Sequence, residues 1–420
     1  MKTNRRSFIK RTALGSVYGS ALLAGCSNTN TAGIGTNGDK LDAILKQPVL
    51  KTQFFSSPVI IDTVELLRYE NNFICRVRSK DGAEGLSVSN NMQMISLYPI
   101  FTNRILPFFI GKDALQLDRL LEEVYVYKSN YKLQSLAIWV PLATLEFAIL
   151  DMLGKIAGKT MGELIGDIHN KEISVYQANN HRGQSPEVSI EKIIQKQAET
   201  GAKAVKFKIG GRMSNEEKPE GRTEALIPLV RKAFGPDMTI YADSNGSYDV
   251  KEAIRIGKIL EEYNIDFYEE PVPFDWYEET KDVTDAVNVP VAGGEQEGSM
   301  HNFRWLIHHD ALDIVQPDIF YFGGMIRSMK VALMGASKNK PCIPHISGSG
   351  LGYLYMMHYV SVIPNAGPYH EFKGLNDRLP MECPTSDLRV VDGKVKVPTG
   401  PGFGVIIDPD YIKKHTIVKA

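Results

Sequence analysis

The sequence predicts an α/β fold, a (β/α) barrel preceded by a smaller α+β unit. Three observations carry that expectation. From residue 173 on, short apolar strands alternate with helical stretches, the pattern of a parallel sheet with crossover helices. There are eight such strands, EISVYQA, AVKFKIG, MTIYADSNG, IDFYEEPV, VPVAGGEQE, LDIVQPDIF, PCIPHIS and YHEF, enough to close a barrel. Polar and ionisable residues then recur where the strands end. Asp243, Glu269, Glu295, Asp318, His345 and Glu371 are separated by 26, 26, 23, 27 and 26 residues, one βα unit per step. Barrel active sites gather at the C-terminal ends of several strands, so this phase marks a site.

The elements follow in chain order. Residues 1–25 hold paired arginines, Arg5 and Arg6, before a short, weakly apolar stretch rich in Gly and Ser. The segment is too short for a comfortable membrane span and resembles a twin-arginine export signal. LAGC, ending at Cys26, resembles a lipobox, which implies cleavage before Cys26 and lipidation of its thiol. Residues 26–50 read as a flexible tether. The expectation is a protein anchored by lipid in the bacterial periplasm, with no other membrane contact.

Residues 51–172, together with 390–420, are expected to form the α+β unit. PVIIDTVELLRYENNFICRVRSKDGAEGLSVS reads as strands with KDG as a hairpin turn. LATLEFAILDMLGKIAGKTMGELIG is apolar nearly all round and so reads as a buried helix. Residues 173–389 form the barrel. The polar insertion RMSNEEKPEGR is expected over the barrel mouth, and the C-terminal tail is expected to pack back on the α+β unit. Cys75, Cys342 and Cys383 show no metal-ligand spacing. A formal net charge of -1 and the lack of a basic stripe argue against nucleic acid as a partner.

The strand-end residues suggest chemistry. Asp243, Glu269 and Glu295 end three consecutive strands, and three carboxylates converging in a barrel mouth need a cation. All-oxygen ligation suits one Mg²⁺, or Mn²⁺, rather than zinc. Lys206 and Lys208 sit at i and i+2 of the second strand and point together into the interior. Asp318 and His345 end the sixth and seventh strands, where a carboxylate can fix the imidazole tautomer. Glu371 ends the eighth. A metal between lysines and a histidine suits removal of the proton α to a carboxylate, through an enediolate.

These motifs resemble those of the enolase superfamily, mandelate racemase subgroup, over nearly the whole chain after the tether. KFKIG is similar to its K-x-K motif. DSNG, EEP and GGE are similar to its three ligand motifs, QPD with PHISGSG to its Asp-His dyad, and HEF to its eighth-strand Glu. The sixth strand carries Asp318 and lacks the Lys of the muconate-lactonizing subgroup. The resemblance implies a modified TIM barrel with an enolase-type capping domain completed by the C-terminal tail. It implies Mg²⁺ on Asp243, Glu269 and Glu295. Lys208 and His345, oriented by Asp318, become the bases on the two faces of the α-carbon. Lys206 stays charged against the substrate carboxylate and depresses the Lys208 pKa, while a protonated Glu371 donates to that carboxylate. Asn245 is a substrate or supporting contact, and Glu270 is a candidate partner of Lys206. Asn179, His181 and Arg182 follow the first strand as candidate readers of substrate hydroxyls. The tight spacing within DTVELLRYENNFICRV implies a short lid.

The implied activity is dehydration of an acid sugar, an aldonate or aldarate, to a 2-keto-3-deoxy acid. Epimerisation, racemisation or cycloisomerisation of a similar acid uses the same parts. A lipoprotein that binds sugar acids without turnover is the reading from outside enzymology. The resemblance also implies a homo-oligomer.

Overall fold

The structure is a computed structural model and describes residues 37–179, 181–347, 350–372 and 379–419. The twin-arginine pair, Cys26 and the first part of the tether lie outside the described residues. The rest of the tether is not free. Asn37–Leu45 is a helix that buries Leu41 and ties Asp42 to Arg304 through two bonds of 2.5 and 2.9 Å. Its apolar residues Leu41, Ile44 and Leu45 give it a reason to dock on the barrel.

The capping unit is an antiparallel sheet of β1 (Ile61–Tyr69), β2 (Asn72–Ser79) and β3 (Glu84–Val88), with Thr416–Ile417 beside β1. The β1–β2 register pairs Tyr69 with Asn72, which leaves a two-residue turn. Helix Leu136–Ala157 is long and apolar enough to cross a membrane, yet 89% of its apolar window is buried. It is the central helix of the cap. Gly85 of β3 lets that helix approach, because a Cβ there would meet the Met152 backbone nitrogen at 2.5 Å.

The barrel strands are β4 (Glu172–Ala178), β5 (Ala204–Lys208), β6 (Thr239–Asp243), β7 (Phe267–Glu269), β8 (Val291–Gly293), β9 (Ile314–Val315) and β10 (His370–Glu371). They run parallel in the order β10-β4-β5-β6-β7-β8-β9. The remaining position is filled by the segment at Cys342–His345. It joins β9 through single parallel bridges, Val315 to Cys342 and Asp318 to His345, and reaches Ala366 through Cys342. The ring is thus a modified TIM barrel in which one strand survives only as bridges.

Strand alternation sorts the side chains into two layers. Val205 and Phe207 of β5 pack outward with Ile240, Ala242 and Tyr268 against the helices. Ala204, Tyr176, Tyr241, Phe267, Ile314 and Ile343 fill the interior. Tyr241 and Phe267 stack at 3.7 Å there. Lys206 and Lys208 share the parity of Ala204 and so stand above this aromatic plug.

The C-terminal tail serves both units. Lys394–Lys396 pairs antiparallel with the start of β4 in the barrel, and Thr416–Ile417 then pairs with β1 of the cap. Its contact is wider than the expected return to the cap alone. Cap and barrel also meet where Glu146, from the central helix, accepts from Met325 N at 2.5 Å and Ile326 N at 3.0 Å. Burial pushes the Glu146 carboxyl up to about 8, opposed by these two amides at the start of helix Met325–Ser337.

Candidate active site

Sheet register brings the acidic and basic side chains together. Lys208 of β5 lies beside Asp243 of β6, and Asp243 lies beside Glu269 of β7. Glu295 follows β8 by two residues. Asp243, Glu269 and Glu295 are all buried and offer oxygens within 4.8 Å of one another. Lys206 Nζ donates to both Glu269 oxygens at 2.8 and 2.9 Å and lies 3.4 Å from Asp243. It also stands 5.3 Å over the Tyr176 ring. Lys208 Nζ pairs with Asp243 and donates to Asn245 Oδ1 at 3.1 Å.

The charges distort one another. Burial, reinforced by Asp243, pushes Glu269 up to about 7. Asp243 is equally buried, but Lys208 and Lys206 overcome that and hold it well below the usual carboxylate range. Burial is outweighed by Glu269 and other anions at Lys206, whose pKa rises well above its ordinary value. The lysine wall therefore keeps Lys206 charged.

The opposite wall carries the dyad. His345 Nδ1 donates to Asp318 Oδ2 at 2.7 Å, which leaves Nε2 facing the cavity. Nε2 lies 3.3 Å from Glu295 and 3.7 Å from Glu371. Burial opposes charge on His345, but Glu295 and the Asp318 bond prevail and raise it to about 9. Asp318 Oδ1 accepts from Phe320 N and Tyr321 N at 2.8 and 2.9 Å, and Oδ2 from Ser347 N at 2.6 Å. Glu371 is buried at the end of β10.

This constellation has relatives. The family described as enolase C-terminal domain-like matches residues 190–411, more than half of the chain. The chain belongs to the enolase superfamily. An arabinonate dehydratase from Saccharolobus solfataricus is 25% identical over 343 residues, covering 81% of this chain and 89% of that one. A solved 3,6-anhydro-D-galactonate cycloisomerase from Zobellia galactanivorans is 26% identical, with a TM-score of 0.69, over 86% of this chain and 100% of that one. A mandelate racemase/muconate lactonizing protein from Paracoccus denitrificans, solved with magnesium, shares the fold at a TM-score of 0.78 and 24% identity, over 86% and 99% of the two chains.

The residues of this enolase-superfamily chain fit a magnesium ion. The cluster offers hard oxygen donors only, with no nitrogen or sulfur among them. Burial, with Asp243 beside it, forces Glu269 up, a strain that a divalent cation relieves. Asp243, Glu269 and Glu295 are the residues that would hold it.

Other candidates sit differently from expectation. Lys206 pairs with Glu269, not Glu270, because β5 and β7 point both side chains into the barrel. Glu270 instead turns aside at φ 44 and accepts from Asn245 Nδ2 at 3.3 Å. Asn245 also donates to Glu295 at 3.3 Å, so it links the lysine wall to the carboxylates. Arg182 is committed to the Ile209, Gly210 and Asp243 carbonyls, and Asn179 to the Lys206 carbonyl at 2.7 Å. Both brace strand ends. His181 is half-buried on the same loop, its carbonyl bound by Arg222. The polar insertion reaches the mouth through Met213 N, which donates to Asn245 O at 2.9 Å.

Some supporting residues escaped sequence reasoning. Gln316 donates to Glu269 at 3.2 Å. It stands two residues before Asp318, so strand parity alone pointed it inward. Buried Arg222 holds the Lys208 carbonyl at 2.9 Å. Nothing in the local sequence marks that role.

Proposed function

We propose that this chain is an acid-sugar dehydratase that converts an aldonate or aldarate to a 2-keto-3-deoxy acid. The observation that carries the reading is the placement of Lys208 and His345 on opposite walls of one buried carboxylate cluster. Dehydration needs a group to take the α-proton and another to protonate the departing β-hydroxyl. Lys208 takes the first role through its free amine, with its carbonyl braced by Arg222 and its Nζ within reach of Asn245. His345 takes the second. Its Nε2 faces the cavity, and the Asp318 bond at Nδ1 orients it toward the departing hydroxyl. Lys206 stays charged against the substrate carboxylate. Asp243, Glu269 and Glu295 would hold Mg²⁺, which when bound would supply electrostatic stabilisation of charge on that carboxylate.

Incubation with a panel of aldonates and aldarates plus Mg²⁺, read as 2-keto-3-deoxy product, tests this. Product from at least one acid supports the reading, and no product from a broad panel refutes it. Cycloisomerisation is the second reading, supported by the similarity to the Zobellia cycloisomerase. It predicts an isomer of unchanged mass instead of loss of water.

The proposal includes a location. Arg5, Arg6 and the LAGC motif support twin-arginine export and a lipid anchor on Cys26 in the periplasm. Replacing Cys26 by Ser should release the protein from membranes into the soluble periplasmic fraction. Retention on membranes would count against the anchor.

A further inference from the structure

The two walls differ in what holds them. Among the described residues, no cap side chain hydrogen-bonds to Lys206, Lys208 or Asp243. The dyad wall, in contrast, is pinned to the cap at three points. Val88 N donates to Tyr355 OH at 2.8 Å, Gln93 Nε2 donates to Tyr321 OH at 3.3 Å, and Asn90 Nδ2 donates to Ser347 Oγ at 2.8 Å.

The third contact reaches the dyad. Ser347 Oγ donates in turn to Asp318 Oδ1 at 3.2 Å, and Ser347 N donates to Oδ2, the same oxygen that holds His345. The order of donors is fixed by chemistry. An amide NH₂ can only donate, so the hydroxyl accepts from Asn90 and turns its own proton toward Asp318. Asn90 is itself held, since its Oδ1 accepts from Gln93 N and caps helix Asn91–Ile100. Asn90 and Ser347 are 2% and 6% exposed, so water is a poor substitute for either. The other donors to Asp318 Oδ1 are the Phe320 and Tyr321 main-chain amides of its own loop. The hydroxyl is the donor whose direction depends on the cap.

We infer that Ser347 and Asn90 are positioning residues, through which the docked cap sets the orientation of the Asp318–His345 dyad. The inference rests on the dehydratase reading and deepens it. The chemistry on the histidine wall becomes sensitive to whether the cap is seated, and the lysine wall does not.

The test uses the full chain with Mg²⁺ and an acid sugar that the wild type dehydrates, run in D₂O. Dehydration and exchange of the α-proton are followed for Ser347→Ala, Ser347→Thr and Asn90→Ser, with Lys208→Ala and His345→Asn as references. Ser347→Ala is expected to lower kcat about tenfold at nearly unchanged KM, as a misplaced reacting group does. The loss falls on the step that His345→Asn lowers and spares the step that Lys208→Ala lowers. Ser347→Thr restores most of the rate. Asn90→Ser keeps a helix-capping oxygen but loses the amide donor, and shows the same pattern more weakly. Unchanged kcat, or equal loss in both steps, overturns the inference. If the panel gives no product, the dehydratase reading fails separately. The relay is then read from the His345 Nδ1 proton resonance, which Ser347→Ala and Asn90→Ser should shift. A resonance that stays in place in both overturns the relay.

Discussion

The lysine wall and the histidine wall of the site are built by different means. Lys206, Lys208, Asp243 and Glu269 sit on continuous strands whose register puts them side by side. Asp318 and His345 sit where strands have shrunk to single bridges, and loop amides and a cap contact hold them instead. The first wall is rigid through the sheet. The second depends on long-range docking. A group placed by register needs no partner outside the barrel, whereas a group placed by docking can respond to closure.

The sharpest way to break this comparison is to remove one acting group from each wall. Lys208→Ala and His345→Asn should each lower dehydration by about 10²–10⁴-fold, the usual worth of a positioned acid or base. They should differ in α-proton exchange, which the lysine variant loses and the histidine variant retains in part. Steady-state rates and NMR of the exchanged substrate check this. Equal behaviour in both would erase the distinction between the walls.

Lys206→Met probes the electrostatics of the first wall. It leaves Glu269 buried without its two charge-assisted bonds, so the metal-free protein should lose about 3–5 kcal/mol. Mg²⁺ should return part of that loss, because it binds the folded site. Denaturant unfolding with and without Mg²⁺ measures both.

Acid should loosen the fold around β10 first. His370, beside Glu371 on β10, is buried and depressed to about 4 by burial, and so is His358 of the helix behind it. Each must be neutral in the fold. Each contribution is complete above the unfolded value near 6.5 and is lost as pH falls toward 4, up to about 3 kcal/mol per group. Asp243 on the lysine wall is held below its usual range, so its contribution is lost only at lower pH. Stability should therefore fall between pH 6.5 and 4, and His370→Gln should flatten that fall. A flat profile over this window would contradict the assignment.

The smallest effect expected is at Gln316. Gln316→Leu removes one 3.2 Å bond to Glu269 and should weaken Mg²⁺ binding by about tenfold, in the range for supporting contacts to a ligand. Calorimetric titration with Mg²⁺ reads it directly.

The two walls also differ in how legible they were. A period of two in KFK and a recurrence of 26 residues between Asp243, Glu269 and Glu295 place the first wall from sequence alone. The barrel follows from the same signals. Lys206 pairs with Glu269 because β5 and β7 point both side chains inward, whereas the left-handed backbone at Glu270, φ 44, which turns that carboxylate to Asn245, was not legible. Arg182 read as a candidate reader of substrate hydroxyls, and its bonds to strand-end carbonyls left no trace in the sequence. The tether read as free chain, yet its helix found apolar ground on the barrel. Asn90 and Ser347 are 257 residues apart, and no local pattern joins them. Local periodicity reports register, and contacts between the cap and the barrel leave no such trace.

The most direct test of the account is the mass and isotope content of product formed in D₂O with Mg²⁺ from the acid sugar the protein accepts. The account predicts loss of one water and a 2-keto-3-deoxy acid carrying solvent deuterium at C3. Deuterium exchange at the α-carbon with the water retained would contradict it.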